Sequence, residues 1–132
     1  MTNENETNWL KSVKDKFIAE GPGGGDFLYL LEIILSEGNA NFIQILNQAA
    51  NGHGCIAHEG LSYSLDQDWD DPSLFDEVTF FVGDNESSTL SINKYLSLID
   101  VACQAYISLF PNEKEIVSEN FNRISHRYSL AN

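Results

Sequence analysis

A chain of 132 residues, 42% hydrophobic and 11% aromatic, is long enough for one self-sufficient core, short for two, and too apolar for a disordered acidic polymer. Its 20 Asp and Glu against 7 Lys and Arg give a formal charge of −13, which excludes nucleic-acid binding through phosphate contacts and disfavours docking on anionic lipid. No basic segment followed by an apolar run opens the chain, and its longest apolar stretch, Phe27 to Leu35, falls far short of the about 20 residues of a membrane span. Cys55 and Cys103 then read as two reduced thiols, and the expected setting is a cytoplasm.

Trp9, Leu10, Val13, Phe17 and Ile18 recur at helical spacing, and Gly21-Pro22-Gly23-Gly24-Gly25 is expected to end that helix. Asp26 reads as the N-cap of a helix from Phe27 to Ser36, with Gly38-Asn39 as its stop. A short helix follows over Asn41 to Ala50, closed by Asn51-Gly52. Gly54 to Leu65 is ambiguous, although Leu61, Tyr63 and Leu65 alternate with Ser62 and Ser64 as in a strand. Asp66 to Phe75 reads as an acidic loop.

Glu77 to Val82 is a strand with Val78, Phe80 and Val82 on one face. Gly83-Asp84-Asn85-Glu86 is its turn, and Ser87 to Leu90 the hairpin partner. Ile92, Tyr95, Leu96, Ile99, Cys103, Tyr106, Ile107 and Phe110 mark one stripe of an amphipathic helix, capped by Ser91 and stopped by Pro111. A last helix is expected from Glu113 to about Ser125. The class is therefore α+β, a single domain over residues 1–132. It has N-terminal helices, a small antiparallel sheet or hairpin, a long amphipathic C-terminal helix and a last helix.

The charge is not spread evenly. No Lys or Arg occurs between Phe17 and Asn93, where 13 of the acids lie, while the remaining acids and bases balance. The densest part is Asp66, Asp68, Asp70, Asp71, Asp76, Glu77, Asp84 and Glu86. Such a run is either a solvated face or a docking surface. Like charges this close repel in the compact state, no nearby Lys or Arg is expected to offset them, and a single-sign field speeds association with an oppositely charged partner. The implied partner is a basic protein.

Other candidate sites are weaker. Asp66, Asp68, Asp70 and Glu77 fit four positions of a calcium loop, but Asp71 stands where the turn needs Gly and a strand follows where a helix is needed. His53, Cys55 and His58 offer three soft ligands, with no fourth placed beside them by the sequence. Cys103 lies on an apolar helix stripe and reads as core. His58 beside Glu59 is a neighbouring pair without a positioned partner, and Gly21 to Gly25 lacks the strand before and Lys after that a phosphate loop requires. No catalytic, cofactor or metal residue is assigned.

Several stretches resemble the CdiI-type ribonuclease-toxin immunity proteins of contact-dependent growth inhibition systems. They are Asp68-Trp69-Asp70-Asp71-Pro72, Phe75-Asp76-Glu77-Val78-Thr79-Phe80-Phe81, Asp84-Asn85-Glu86, and Ser91 through Cys103 and Tyr106 to Pro111. The resemblance covers roughly Asp66 to Pro111; the N-terminal half is similar only in plan. It implies a small cytoplasmic protein that is not an enzyme and binds the cognate C-terminal nuclease domain of a large secreted toxin. Contacts with nucleic acid or membrane are not expected.

Argued from chemistry, the toxin-binding residues are Asp66, Asp68, Asp70, Asp71, Asp76, Glu77, Asp84 and Glu86, with Trp69 as an anchor if exposed and as a loop-pinning core residue if not. Two rival readings stay open: an acidic nucleic-acid mimic acting on another nucleic-acid-binding protein, and a small metal-binding protein using His53, Cys55 and His58.

Overall fold

The computed structural model describes residues 4–37, 40–58, 60–83 and 85–129. Three helices come first: α1 (Glu4–Ala19), α2 (Pro22–Glu37) and α3 (Phe42–Ala50). Four strands follow, β1 (Cys55–His58), β2 (Leu61–Ser64), β3 (Glu77–Val82) and β4 (Asn85–Ser91), then helices α4 (Ile92–Leu109) and α5 (Lys114–Ser129). The strands form one antiparallel sheet in sequence order, so each is joined to its neighbour without a crossover. The α+β class holds, and the sheet is larger than a hairpin because the ambiguous segment supplies β1 and β2.

One contiguous core joins sheet and helices. Cys55 and Ala57 on β1, Leu61 and Tyr63 on β2 and Val78 and Phe80 on β3 are buried, whereas Ile56 between the first two is 75% exposed. Helix α2 lies across the sheet, and Phe27 from it is the hub, with rings of Phe17, Tyr63, Phe80 and Tyr95 centred 5.3–5.6 Å away. A second aromatic group ties α1 to α3 and α4. Trp9 packs on Phe42 and Tyr106, and its indole N–H donates to the Ala102 carbonyl at 2.9 Å.

The glycine-rich segment departs from expectation. Helix α1 stops at Ala19, Gly21 (φ 83°) makes the turn, and α2 restarts at Pro22, so Gly23 to Gly25 lie inside a helix. The reason is tertiary. A Cβ on Gly23 would fall 2.5 Å from the Thr89 carbonyl oxygen, and one on Gly24 would collide with the Phe17 carbonyl. Both glycines let α2 close on β4 and α1, an advantage that local propensity does not register. Asp26 is therefore not an N-cap; it sits in the second turn and accepts a hydrogen bond from the Ser88 hydroxyl.

Elsewhere local chemistry predicts the elements well. Asn41 and Gln44 form a reciprocal capping box on α3, and Ser91 caps α4 through the Lys94 amide. Helix α4 ends at Leu109, ahead of Pro111, which opens a short 3-10 turn. Strand β4 begins at Asn85 rather than Ser87, and α5 continues to Ser129, past the expected end near Ser125. The expected stop at Gly38-Asn39 lies outside the described residues, as does Glu59 of the His58–Glu59 pair.

Candidate functional site

The acidic segment between β2 and β3 is folded into two 3-10 turns, Asp66–Asp68 and Pro72–Leu74, and its carboxylates divide into two groups. Asp66, Asp68 and Asp71 make hydrogen bonds that shape it, Asp66 half-buried and the other two exposed. Both oxygens of Asp66 are taken: Oδ1 accepts from Arg127 Nε (3.1 Å) and the Tyr128 hydroxyl (2.8 Å), and Oδ2 from the other Arg127 nitrogen (2.6 Å) and Gln67 (2.9 Å). Burial pushes this carboxyl up, but the hydrogen bonds from Arg127, Gln67 and Tyr128 outweigh that and hold it at about 2. The expectation that no Lys or Arg offsets the acids is thus corrected at Asp66, because α5 folds back and delivers Arg127 across 61 positions of sequence.

Asp68 joins the loop to the start of β1. Its Oδ2 accepts the backbone N–H groups of Gly54 (2.7 Å) and Leu65 (2.9 Å), and Oδ1 meets His53 Nδ1 at 3.0 Å. Asp71 caps the second turn, accepting from the Ser73 amide and hydroxyl. Beneath the first turn the Gln67 amide donates to the Gly52 carbonyl at 2.9 Å. Gly52 has φ 87°, and a Cβ there would meet the Arg127 guanidinium and the Gln67 side chain, so only glycine fits.

Asp70, Asp76, Glu77 and Glu86 form the second group. Their carboxylates make no hydrogen bond or ion pair with other described residues; Glu77 is half-buried and the other three are exposed. Asp70, Asp71, Asp76 and Glu77 belong to one stretch leading into β3. Glu86 does not: it pairs with Phe81, while Glu77 pairs with Ser91, so the length of β3 separates the two carboxylates by roughly 13 Å. Asp84 lies outside the described residues.

Trp69 is neither core nor fully exposed. Half-buried, it stands edge-on to Phe75 with ring centroids 5.7 Å apart, and Phe75 in turn packs on Tyr128 at 5.9 Å. Leu74, which precedes Phe75 in the chain, is 64% exposed. The residues that sequence reasoning missed are therefore His53 as a loop contact, Gly52, Arg127 and Tyr128. Nothing local to them signals the loop, because their partners are distant in sequence.

The proposed soft-ligand set does not converge. His53 faces Asp68, His58 is exposed, and Cys55 is buried with its thiol pushed up to about 11 by that burial. Among the described residues no group of three or more His, Cys, Asp or Glu side chains is gathered for a metal ion. Cys103 lies in the core as expected, its thiol raised by burial to about 12. A surface depression of about 800 Å³ runs past Lys114, Arg123 and His126 on α5 and is lined by no residue of the acidic loop. No described helix is long and apolar enough to cross a membrane.

Fold and surface together define a small α+β protein that displays a braced acidic loop. The family model described as CDI immunity protein matches residues 23–121, about three quarters of the chain, and the chain belongs to that family. Membership carries the coarse function, which is to bind and neutralise a cognate toxin of contact-dependent growth inhibition. No curated protein and no solved structure matches the chain.

Proposed function

We propose that this chain neutralises a basic C-terminal nuclease domain, most simply a ribonuclease, by seating its acidic loop in the cleft where the nuclease holds phosphates. The observation that carries the reading is the division of carboxylates. Asp66 and Asp68 spend both carboxylate oxygens on the loop's shape and Asp71 spends one on capping it, whereas Asp70, Asp76 and Glu77 make no such contact, in the same stretch as the half-buried Trp69. Unpaired carboxylates on a shaped loop attract a cationic cleft over long range and then occupy it sterically. Trp69 supplies the apolar contact that electrostatics alone lacks. Glu86 carries the same sign of charge to the far end of β3, where it pairs with Phe81. The protein acts stoichiometrically, without catalysis or cofactor, in the cytoplasm of the producing cell and its siblings.

Growth rescue tests this. The C-terminal domain of the large secreted protein encoded beside this one is induced with and without this chain in the same cells. Rescue that requires this chain and fails for a non-cognate toxin supports the reading. A toxic neighbour left unrescued overturns it.

A further inference from the structure

The last turn of α5 carries no carboxylate, yet it holds both ends of the acidic loop. Tyr128 is 2% exposed and does two things at once. Its hydroxyl donates to Asp66, where the loop begins, and its ring packs on Phe75, where the loop ends. Phe75 supports Trp69 edge-on, so one side chain on α5 reaches the proposed anchor through a single intermediate ring. Arg127 completes the hold with its two-nitrogen grip on Asp66, lying over Gly52, whose carbonyl accepts the Gln67 amide. Both residues lie C-terminal to the span 23–121 matched by the family model.

We infer that Tyr128 and Arg127 are positioning residues for toxin recognition: a clasp on α5 that keeps the loop from Asp66 to Phe75 in its binding shape before the partner arrives. This rests on the acidic-surface reading above and deepens it. A loop ordered in advance loses less freedom on binding, and a loop competent for only a fraction of the time binds with its affinity reduced by that fraction. The clasp therefore acts on the competent fraction, and its buried, uncharged member Tyr128 does so without altering the charge the partner meets.

Tyr128→Phe separates these effects, because it removes one hydrogen bond to Asp66, keeps the ring on Phe75 and leaves the net charge unchanged. Deuterium uptake and binding kinetics are measured on the full chain, with the toxin domain of the rescue experiment as the binding probe. The amides from Leu65 to Phe75 should exchange at least about tenfold faster, and Kd should rise about three- to thirtyfold. The dependence of association rate on salt should match that of the unaltered chain, whereas Asp70→Asn flattens it.

Faster exchange with unchanged Kd overturns the inference, as does unchanged exchange. If Asp70→Asn still weakens binding in either case, the acidic-surface reading survives. An unaltered chain that fails to bind the toxin domain removes that reading and this inference with it. Should Tyr128→Phe fail to fold, Arg127→Lys, which also preserves charge, takes its place with the same expectations.

Discussion

The hydroxyls of Tyr63 and Tyr95 lie 3.0 Å apart in the core, joining β2 to α4 between side chains that are 2% and 0% exposed. Burial raises both phenols far above their usual range. Removing one hydroxyl strands the other. Tyr63→Phe and Tyr95→Phe should each cost about 1–3 kcal/mol, and the double variant should cost less than their sum by at least about 0.5 kcal/mol. Urea midpoints of the four proteins check this; additive costs would show that the hydroxyls do not couple.

The glycines of α2 predict opposite outcomes one residue apart. Gly24→Ala drives a methyl group into the Phe17 carbonyl and should lower stability by about 1–3 kcal/mol or more. Gly25 faces open space, and Gly25→Ala should raise stability by up to about 1 kcal/mol through helix propensity. Thermal midpoints moving in opposite directions are the expected result.

Asp66 makes stability depend on acid. Its folded pKa, about 2, lies below the ordinary value of 3.8, so its contribution is fully present above that value and is lost as pH falls toward 2. Asp66→Asn should cost about 2 kcal/mol at neutral pH and flatten the decline in stability between pH 5 and pH 2. A variant whose acid profile overlays that of the unaltered chain would place the acid-sensitive group elsewhere.

Neighbouring carboxylates should answer differently to the same change. Asp68→Asn weakens a hub that takes two backbone amides and His53, and should lower stability by about 1–2 kcal/mol. Asp70→Asn should leave stability within about 0.5 kcal/mol, slow toxin association and reduce its salt dependence. An unchanged association rate at low salt would remove the electrostatic part of the proposal.

Trp69→Ala should leave the fold intact, since the ring is half-buried and its edge contact with Phe75 contributes about 0.5–1.5 kcal/mol. Toxin affinity should drop at least about tenfold. Isothermal calorimetry beside a melting curve separates the two effects, and full affinity in a folded variant would remove the anchor.

How much was legible varied with the range of the interaction. The Asn51-Gly52 stop of α3, the Ser91 cap, the stripe of α4 and the alternation of β3 are short-range signals, and each marked its element. The capping box of Asn41 and Gln44 was not read, though it is equally local. Gly23 and Gly24 misled because their role is close approach to Thr89 and Phe17, contacts no local rule encodes. The strand pair β1 and β2 was only half visible, since four-residue strands carry little pattern.

The acidic loop shows the same limit. Its composition, its lack of local bases and the placement of Trp69 among carboxylates are properties of the chain as written, and by themselves they point to a basic partner. Which carboxylates remain free for that partner was decided only when the chain folded. Asp66 met Arg127 and Tyr128 because α5 packs back against α3 and α4, and Asp68 met His53 and Gly54 because β1 begins beside the loop. Charge and periodicity are carried by each residue and its near neighbours. The pairing of one carboxylate and the exposure of the next depend on elements tens of residues away, brought together by burial of a shared core.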